Sequence, residues 1–458
     1  MMQAYISYKL AEFTKNLHYE DLGPETVLNV KRFLLDSIGC AYGGSKTKDV
    51  KILADFYNGM GGRPETTVIN SPVKLPMLNQ VLLNSLMIRA LDYNDIYWEQ
   101  DPSHPSDIIP AVLGPAELYH KSGKELITGI VLAYEWEQRL CEFAFPGVRE
   151  TKWHHATLTQ FASPLAAGKM LDLSIKELVH ALGISASHNF TPGVVTAGNL
   201  TMMKNTVDPM AVQSGMQAAL LAKMGYEGPA HIIDGKEGLT DVLASNEFKL
   251  DTLTEGLGES FRINRCSMKA FPTEALTHTP MSAVIKLMQE NNIRSEDIDQ
   301  VIIYTVARAA DILSDHSKYD PKTRETADHS LPYCIAVCIA DGTVTPASFK
   351  EQKISDPVVR SFLPKIKVIA NPEFEKTFPR LKQARAVIKT RQNKRYEMTL
   401  DYPLGDYRMP IDEAALLKKF DSMVIPETGQ EKRDRLVKMI LNLEKIKDSA
   451  ELAGLFSA

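Results

Sequence analysis

The sequence predicts a mainly α-helical protein with a smaller α+β domain, in the order helical, mixed, helical along the chain. Over residues 1–265, apolar residues recur at spacings of three and four between Gly, Pro and Ser, which is typical of packed helices. Runs rich in β-branched residues follow Phe261, and the helical spacing returns from about Asp412. Because 458 residues exceed what one hydrophobic core usually supports, we expect two domains. We place the helical domain at 1–265 and 410–458, and the α+β domain at 266–409.

Two helices of the first part carry clear start and stop signals. Pro24 suits a first helical turn, apolar residues recur from Val27 to Ile38, and Gly43-Gly44 predicts the end of that helix. The segment Ser174-Ile175-Lys176-Glu177 is a capping box, so a second helix is expected to begin there.

The α+β part is predicted from short β-branched segments. We expect strands at 301–304, 366–369, 385–388 and 396–400, and the polar residues between the last two predict a hairpin. One helix is expected around Val284 and Leu287, and another from Tyr333 to Ala340. The helices that follow Asp412 are expected to pack on the first domain.

Composition excludes several classes of function. The formal net charge of -5 does not favour nucleic acid or an anionic membrane, because both attract basic patches. No apolar run of about 18 residues could span a bilayer, and Met1 to Ile6 lacks the basic-then-apolar order of a signal peptide, so we expect a cytoplasmic location. The nucleotide-binding and serine-hydrolase motifs GxGxxG, GxxxxGK[ST] and GxSxG are absent.

The five cysteines show no CxxC or disulfide-like spacing, so we interpret them as reduced thiols. Cys334 and Cys338 share a helix face, which leaves core packing and metal binding open, although no neighbouring residues complete a tetrahedral ligand set. We expect core packing, and no metal site or cofactor elsewhere; the zinc motif HExxH is also absent.

The first candidate site surrounds His104. A helix ends in Leu91-Asp92-Tyr93-Asn94-Asp95, an irregular acidic and aromatic loop follows over 96–103, and His104-Pro105-Ser106-Asp107 opens a new helix. A histidine at a helix N-terminus can exchange protons beside a bound carboxylate, with Asp92 or Asp95 as an orienting partner. A capping histidine without chemistry explains the same local pattern.

Further candidates lie elsewhere in the chain. His154 and His155 precede another helix, where we expect one to face a cleft and the other to pack. Lys204 and Lys269 have apolar or small neighbours, which favours anion binding, although an exposed lysine lying along the surface is the alternative. Tyr333 opens a helix capped by Ser330 and fits a buried structural role equally well.

Together, these segments resemble the MmgE/PrpD family, whose members include 2-methylcitrate dehydratases, cis-aconitate decarboxylases and iminodisuccinate epimerases. The matching segments, in the family's order, are LLDSIGC at 34–40, ALDYND at 90–95, HPSD at 104–107, LTMMK at 200–204, SMKAFPTE at 267–274 and KTRETADHSLPY at 322–333. The resemblance implies a helical domain assembled from both chain ends, an inserted α+β lid, a homodimer, and an active site between the domains without metal or organic cofactor.

The resemblance also implies roles for individual residues. Active-site positions of the family match Asp92, His104, His154, Lys204, Lys269 and Tyr333. We expect catalytic roles for Asp92, His104, His154 and Tyr333, and substrate binding by Lys204, Lys269, Ser106 and His155. Reactions of the family pass through an anion alpha to a carboxylate, which cationic groups stabilise.

The expected function is a lyase acting on a small polycarboxylate, foremost by dehydration of 2-methylcitrate or a citrate-like acid. Decarboxylation of cis-aconitate and epimerisation of an amino- or imino-dicarboxylate are the alternatives, and a non-catalytic carboxylate-binding homologue is a third. Glu99, Asp101 and Asp107 lie near His104 in sequence; if they face the pocket, their charge disfavours a tricarboxylate. Asp107 resembles the dehydratases, whereas Ile108-Ile109-Pro110 departs from their pattern.

Overall fold

The computed structural model describes residues 5–197 and 200–458 and confirms a mainly helical fold with a smaller α+β region. Residues 1–4, part of the segment considered above for a signal peptide, lie outside the described residues. Within the described part, no helix combines the length and the apolar composition needed to cross a membrane.

Helices α1 to α11 precede the α+β region: Ile6–Asn16, Pro24–Gly44, Lys48–Met60, Met77–Arg89, Ile109–Leu118, Gly123–Leu140, Ala156–Met170, Ile175–Ala186, Met203–Lys223, Leu239–Val242 and Asp251–Thr254. Both predicted boundaries are confirmed, because α2 spans Pro24–Gly44 and the Ser174 hydroxyl accepts the Glu177 N–H at the start of α8. Helix α7 packs against α6, α8 and α9, and α4 packs against α2 and α9. At Gly44 a Cβ would lie 2.2 Å from the Met87 carbonyl oxygen, so glycine permits the close approach of α2 to α4.

The first part also contains short strands, which were not predicted. Strands β1 to β7 are Thr66–Thr67, Lys74–Leu75, Asp95–Trp98, Pro102–Ser103, Ala144–Phe145, Glu247–Phe248 and Ser267–Met268. The loop expected over 96–103 is wrong, because β3 pairs antiparallel with β4 and also with β7. Asp95 lies opposite Met268, so the segment before His104 is held directly beside Lys269.

The α+β region contains helices α12 to α18: His278–Glu290, Ala307–Ile312, Arg324–Ala327, Leu331–Asp341, Glu351–Ile354, Pro357–Phe362 and Pro372–Glu375. Its strands β8 to β11 are Ile298–Thr305, Ile366–Ala370, Ala384–Thr390 and Arg395–Leu400, which confirms the four predicted strands. They form one sheet in the order β11-β10-β8-β9, with β8 and β9 parallel. The predicted hairpin is confirmed by the antiparallel pairing of β10 with β11.

The chain then returns to the helical part through α19 (Glu413–Leu441) and α20 (Ser449–Phe456). Gly429 interrupts α19 with a φ of 75°, a conformation open to glycine at little cost. Helix α19 packs on α2, and α20 packs on α5.

Two hydrophobic cores result. The larger draws on residues from Ile6 to Met268 and from Ile411 to Phe456, and the smaller on residues from Phe271 to Ile388 together with Trp98. This division supports the predicted domain bounds, which stay a prediction. We call the region that contains the smaller core the lid. Cys334 and Cys338 are fully buried in it.

Candidate active site

A cleft lies between the helical part and the lid. It is lined by Arg89, Asp92, Ile96, Trp98, Pro102, His104, Arg149, His154, His155, Thr196, Lys204, Lys269, Glu274, Ala275, Arg308, Ile312 and His329. The structure therefore brings six of the predicted site residues together: Asp92, His104, His154, His155, Lys204 and Lys269. Ser106 and Tyr333 do not line this cleft.

His104 is the N-cap residue of a 3-10 turn over Pro105–Ile108, which leads directly into α5. Its Nδ1 lies 2.6 Å from the backbone carbonyl oxygen of Asp95. Because a carbonyl oxygen can only accept, Nδ1 must carry the proton, and the lone pair is left on Nε2. Burial, followed by the charges of Arg89 and Lys269, holds the pKa of His104 well below its usual range. His104 is therefore a neutral imidazole with a basic Nε2.

The Asp95 carboxylate fixes the backbone that carries His104. It accepts the Ser106 hydroxyl at 2.6 Å and the Ser106 N–H at 3.1 Å, while the Asn94 amide donates to the Ser106 hydroxyl at 2.9 Å. Burial raises the pKa of Asp95 to about 6. The expected side-chain partnership between His104 and an aspartate is thus replaced by a backbone contact, and Ser106 positions the loop instead of facing the cleft.

Asp92 holds three cations at the floor of the cleft. Lys269 Nζ lies 2.5 Å and Arg89 Nη1 2.8 Å from its Oδ1, and Lys204 Nζ lies 3.0 Å from its Oδ2. Burial alone would raise the pKa of Asp92, but Lys204, Lys269 and Arg89 lower it well below its usual range. Asp92 adopts a left-handed φ of 49°, which follows the end of α4 and turns its carboxylate toward the lysines.

Lys419 of α19 joins the segments that carry these groups. Its Nζ donates to the carbonyl oxygens of Tyr93 at 2.7 Å and Lys269 at 2.9 Å, and lies 2.6 Å from an Asp36 carboxylate oxygen. The side chain is 6 % exposed, so these contacts satisfy its ammonium group almost without water.

His154 and His155 both line the cleft, so the expectation that one of them packs elsewhere is wrong. Both precede the first residue of α7, and their rings lie 3.9 Å apart at the centroids. His154 Nδ1 accepts the Ala156 N–H at 3.2 Å, so the neutral ring carries its proton on Nε2. Burial holds the pKa of His154 well below its usual range. His155 Nε2 lies 3.2 Å from the Asp208 carboxylate, which the sequence analysis missed.

One group of described residues has the spacing of a metal site: His154, His155 and Asp208 offer ligand atoms within 4.8 Å of one another. Arg89 Nε, however, already lies 3.9 Å from Asp208 Oδ2. A dication would be placed beside this guanidinium and near the lysines, so we assign no metal to the group.

Tyr333 belongs to the lid core. Its hydroxyl donates to the Ser348 carbonyl oxygen at 2.7 Å, and its side chain is fully buried among the residues of the smaller core. The same motif instead brings His329 to the cleft, with its Nδ1 2.6 Å from an Asp328 carboxylate oxygen. The adjacent Asp-His pair could have indicated this residue from sequence.

Arg89, Arg149, Arg308 and Glu274 are further cleft residues that sequence reasoning missed. Arg89 lies one helical turn before Asp92, a spacing that favours an ion pair and was a readable signal. Glu274 ends the segment SMKAFPTE at 267–274 but was not picked out as a site residue. Arg149 and Arg308 lie outside the segments that were singled out, and nothing local predicts their convergence.

The cleft has an excess of positive charge. Its lining contains five Lys and Arg side chains against two carboxylates, and burial raises the pKa of one of these, Glu274. The condition under which the acidic loop would disfavour a tricarboxylate, namely that Glu99, Asp101 and Asp107 face the cleft, is not met. Asp101 accepts the N–H groups of Val148 and Arg149, and Asp107 is buried beside Arg89 at 3.7 Å. Burial raises the pKa of Asp101 to about 7 and that of Asp107 well above its usual range, and Glu99 lines a neighbouring cavity.

Both parts of the chain that form the cleft match known sequence families. A family model of the MmgE/PrpD N-terminal domain matches residues 8–251, and a model of the MmgE/PrpD C-terminal domain matches residues 271–445. The chain belongs to the MmgE/PrpD family. The N-terminal match of this MmgE/PrpD chain contains His104 and Lys204, and the C-terminal match contains Arg308 and His329, so the cleft lies between the two matched regions.

Similar members of known activity fall into two groups. Cis-aconitate decarboxylase of Homo sapiens is 24% identical over 99% of this chain and 95% of its own length, and that of Aspergillus terreus (strain NIH 2624 / FGSC A1156) is 23% identical over 99% and 96%. The 2-methylcitrate dehydratase of Escherichia coli O157:H7 is 24% identical over 90% of this chain and 89% of its own length.

Proposed function

We propose that this MmgE/PrpD protein is a lyase that acts on a citrate-like polycarboxylic acid by proton transfer alpha to a carboxylate, foremost by dehydrating 2-methylcitrate or a close analogue. One observation carries the proposal: a neutral histidine with a free Nε2 lies in the same cleft as a cluster of buried cations. The two named activities among similar proteins support the same substrate class.

The base in this proposal is His104. Its Nε2 removes the proton alpha to a carboxylate, and the electron pair spreads onto the carboxylate oxygens. Such a carbanion is reached only when positive charge is already aimed at those oxygens. Lys204 supplies this charge, because its ammonium donates to Asp92 alone within hydrogen-bond distance in the described part of the chain. Lys269 donates to Asp92 and to the Thr273 carbonyl oxygen, so it contributes charge from a fixed position.

Dehydration also needs an acid for the departing beta hydroxyl. His155 is assigned this role, because it lines the cleft and its Nε2 lies 3.2 Å from the Asp208 carboxylate. Burial alone would raise the pKa of Asp208, but the neighbouring His155 and Arg89 lower it well below its usual range, so this carboxylate stays ionised. His154 presents an Nε2–H that can donate to a substrate oxygen. Tyr333 enters this scheme only if the lid rearranges, since its hydroxyl is bound to Ser348.

Decarboxylation of cis-aconitate is the second candidate. The decarboxylases match 99% of the chain, compared with 90% for the Escherichia coli dehydratase. The two reactions share a stabilised carbanion but form and consume it differently. In dehydration, removal of the alpha proton forms the carbanion and the beta hydroxyl then departs, whereas in decarboxylation the loss of carbon dioxide forms the carbanion and a proton is then added to it.

The test is a panel of citrate, 2-methylcitrate, cis-aconitate and aspartate-derived acids, incubated with pure protein in deuterated water. We expect deuterium at the alpha carbon of a citrate-like acid, together with alkene absorbance for dehydration or carbon dioxide for decarboxylation. Exchange confined to an amino- or imino-dicarboxylate would indicate an epimerase instead. Binding of an acid with neither exchange nor product would indicate a non-catalytic homologue.

We further propose that the protein is a homodimer. Helix α3 supports this, because Ile52, Phe56 and Met60 recur every four residues on one face and are 49%, 57% and 64% exposed. A second copy would cover this apolar face. Light scattering measures the molar mass of the wild type and of Phe56→Lys. A wild-type mass equal to two chains supports the proposal, and a mass equal to one chain contradicts it.

A further inference from the structure

Two arginines face the cleft from opposite sides. Arg149 belongs to the loop between β5 and α7 in the helical part, and Arg308 belongs to α13 in the lid. Both guanidinium groups line the same cleft, and burial, followed by the charge of Arg308, lowers the pKa of Arg149. Neither arginine contacts Asp92 or its lysines within salt-bridge distance, so the pair is separate from the cation cluster on the floor.

Arg149 lacks a carboxylate partner among residues 5–197 and 200–458. Its side chain donates to the Thr196 hydroxyl, and no Asp or Glu of the described chain lies within 4.0 Å of it. A guanidinium can bind a carboxylate through two parallel N–H groups, and such pairs are among the strongest polar contacts in proteins. The bonding capacity of Arg149 is therefore largely unused on the side that faces the cleft.

Arg308 is held by a carboxylate that is not part of the cleft lining. Its Nη1 donates to Glu150 at 2.9 Å, and the Glu150 side chain is 40% exposed. An ion pair this accessible to water is weak and exchanges easily. The guanidinium also lies 5.8 Å from the centre of the Trp98 ring, which keeps it over the cleft when the ion pair opens.

We propose that Arg149 and Arg308 form a second carboxylate subsite, and that Arg308 leaves Glu150 to bind the carboxylate of the substrate that Lys204 and Lys269 do not hold. Glu150 then acts as an internal competitor for the substrate carboxylate. Since one arginine comes from each side of the cleft, a substrate with this carboxylate connects the lid to the helical part, and one without it does not. The subsite therefore selects citrate-like tricarboxylates over dicarboxylates.

This inference rests on the proposed function, because both place a polycarboxylate in the cleft. It can be tested without turnover, by calorimetric binding of citrate and of citramalate, in which a methyl group replaces one carboxymethyl arm of citrate. We expect the wild type to bind citrate more tightly than citramalate. In Arg308→Gln, citrate affinity should fall about 10- to 100-fold, the size of one charge-assisted contact, while citramalate affinity changes less than twofold.

Replacement of Glu150, the ion-pair partner of Arg308, should change citrate affinity in the opposite direction. Glu150→Gln frees Arg308 and should tighten citrate binding about two- to fivefold, leaving citramalate unchanged. A general loss of structure would weaken the binding of both ligands in both variants. Changes of citrate affinity in opposite directions therefore separate an effect on the subsite from misfolding. Arg294→Gln is the matched control, because Arg294 is an exposed lid arginine paired with Asp297.

The inference would be overturned if Arg308→Gln lost the same factor of affinity for citrate and for citramalate, or if Glu150→Gln bound citrate more weakly than the wild type. Wild-type protein that binds neither acid would also overturn it. Citrate selectivity that behaves as expected in a protein that never exchanges an alpha proton would sustain the subsite and reject the lyase. Turnover with no change of selectivity in Arg308→Gln would reject the subsite alone.

Discussion

His104 Nδ1 donates to the backbone carbonyl oxygen of Asp95 at 2.6 Å. The acceptor belongs to β3, and the Asp95 side chain of the same residue binds Ser106 two positions beyond His104. A single residue thus sets both the tautomer of the imidazole and the path of the backbone that carries it. A strand paired on both sides, β4 on one and β7 on the other, supplies the rigidity.

Replacement of His104 by Ala should abolish the basic Nε2 without disturbing the Asp95–Ser106 contacts. General-base catalysis contributes about 10² to 10⁴-fold, so alpha-proton exchange should slow by that factor. The measurement is the rate of deuterium incorporation in the acid that the wild type exchanges. His120→Ala serves as the control because His120 is an exposed histidine that does not line the cleft. Exchange within threefold of the wild type in His104→Ala would assign the base elsewhere.

Replacement of Asp92 by Asn should destabilise the free protein and strengthen its response to anions. Lys204, Lys269 and Arg89 would lose the carboxylate that they share, and breaking a buried ion pair costs about 3–5 kcal/mol. A bound polycarboxylate can restore that charge, so citrate should raise the melting temperature of Asp92→Asn by more than that of the wild type. Thermal unfolding with and without citrate measures both effects, with Asp297→Asn, a half-buried residue outside the cleft, as control. Equal citrate shifts would show that Asp92 and the ligand do not compete for the same cations.

Glu137 makes stability depend on pH. Burial raises its pKa to about 8, above an unfolded value of about 4.3. Between these values the folded protein keeps a proton that the unfolded chain loses, so this group's contribution falls by about 1.4 kcal/mol per pH unit as pH rises. The side chain of Glu137→Gln cannot ionise. The unfolding free energy of this variant relative to that of the wild type should therefore rise at that slope from pH 5 to 8, as measured by urea unfolding. The exposed Glu296→Gln should run parallel to the wild type; a parallel curve for Glu137→Gln would mean that Glu137 is already ionised.

Replacement of Tyr333 by Phe distinguishes the catalytic role implied by family resemblance from the contact seen in the lid. Loss of the hydrogen bond to Ser348 should cost about 1 kcal/mol of unfolding free energy and leave turnover within twofold of the wild type. Urea unfolding and initial rates measure the two quantities, and Tyr396→Phe on the lid sheet is the matched control. A loss of turnover of 100-fold or more at unchanged stability would favour the catalytic role.

Features that depend on local spacing were predictable from the sequence. Helix α2 and the β10–β11 hairpin follow from apolar periodicity and turn residues, which act within a few positions of each other. The gathering of His104, Lys204 and Lys269 was predicted only because family motifs link positions that are far apart in the chain.

The remaining features depend on where backbones come to lie. The partner of His104 is a carbonyl group, which every residue possesses, so no residue type could have indicated it. In the motif of Asp328, His329 and Tyr333, the histidine reaches the cleft from the turn between α14 and α15, whereas Tyr333 lies on α15 and points into the lid core. Asp101 and Asp107 are acidic in the sequence, yet both side chains are buried outside the cleft lining, and burial raises the pKa of each.

The position of Lys419 sets the order in which this protein can mature. Its ammonium group connects the carbonyl oxygens behind Tyr93 and Lys269, two segments that flank the cleft. During synthesis every cleft residue leaves the ribosome before residue 419 does. The cationic residues of the cleft are therefore synthesised before Lys419 is available to connect the two segments. Premature termination ahead of α19 would thus release a polypeptide that contains every cleft residue but lacks the Lys419 contacts that connect the two flanking segments.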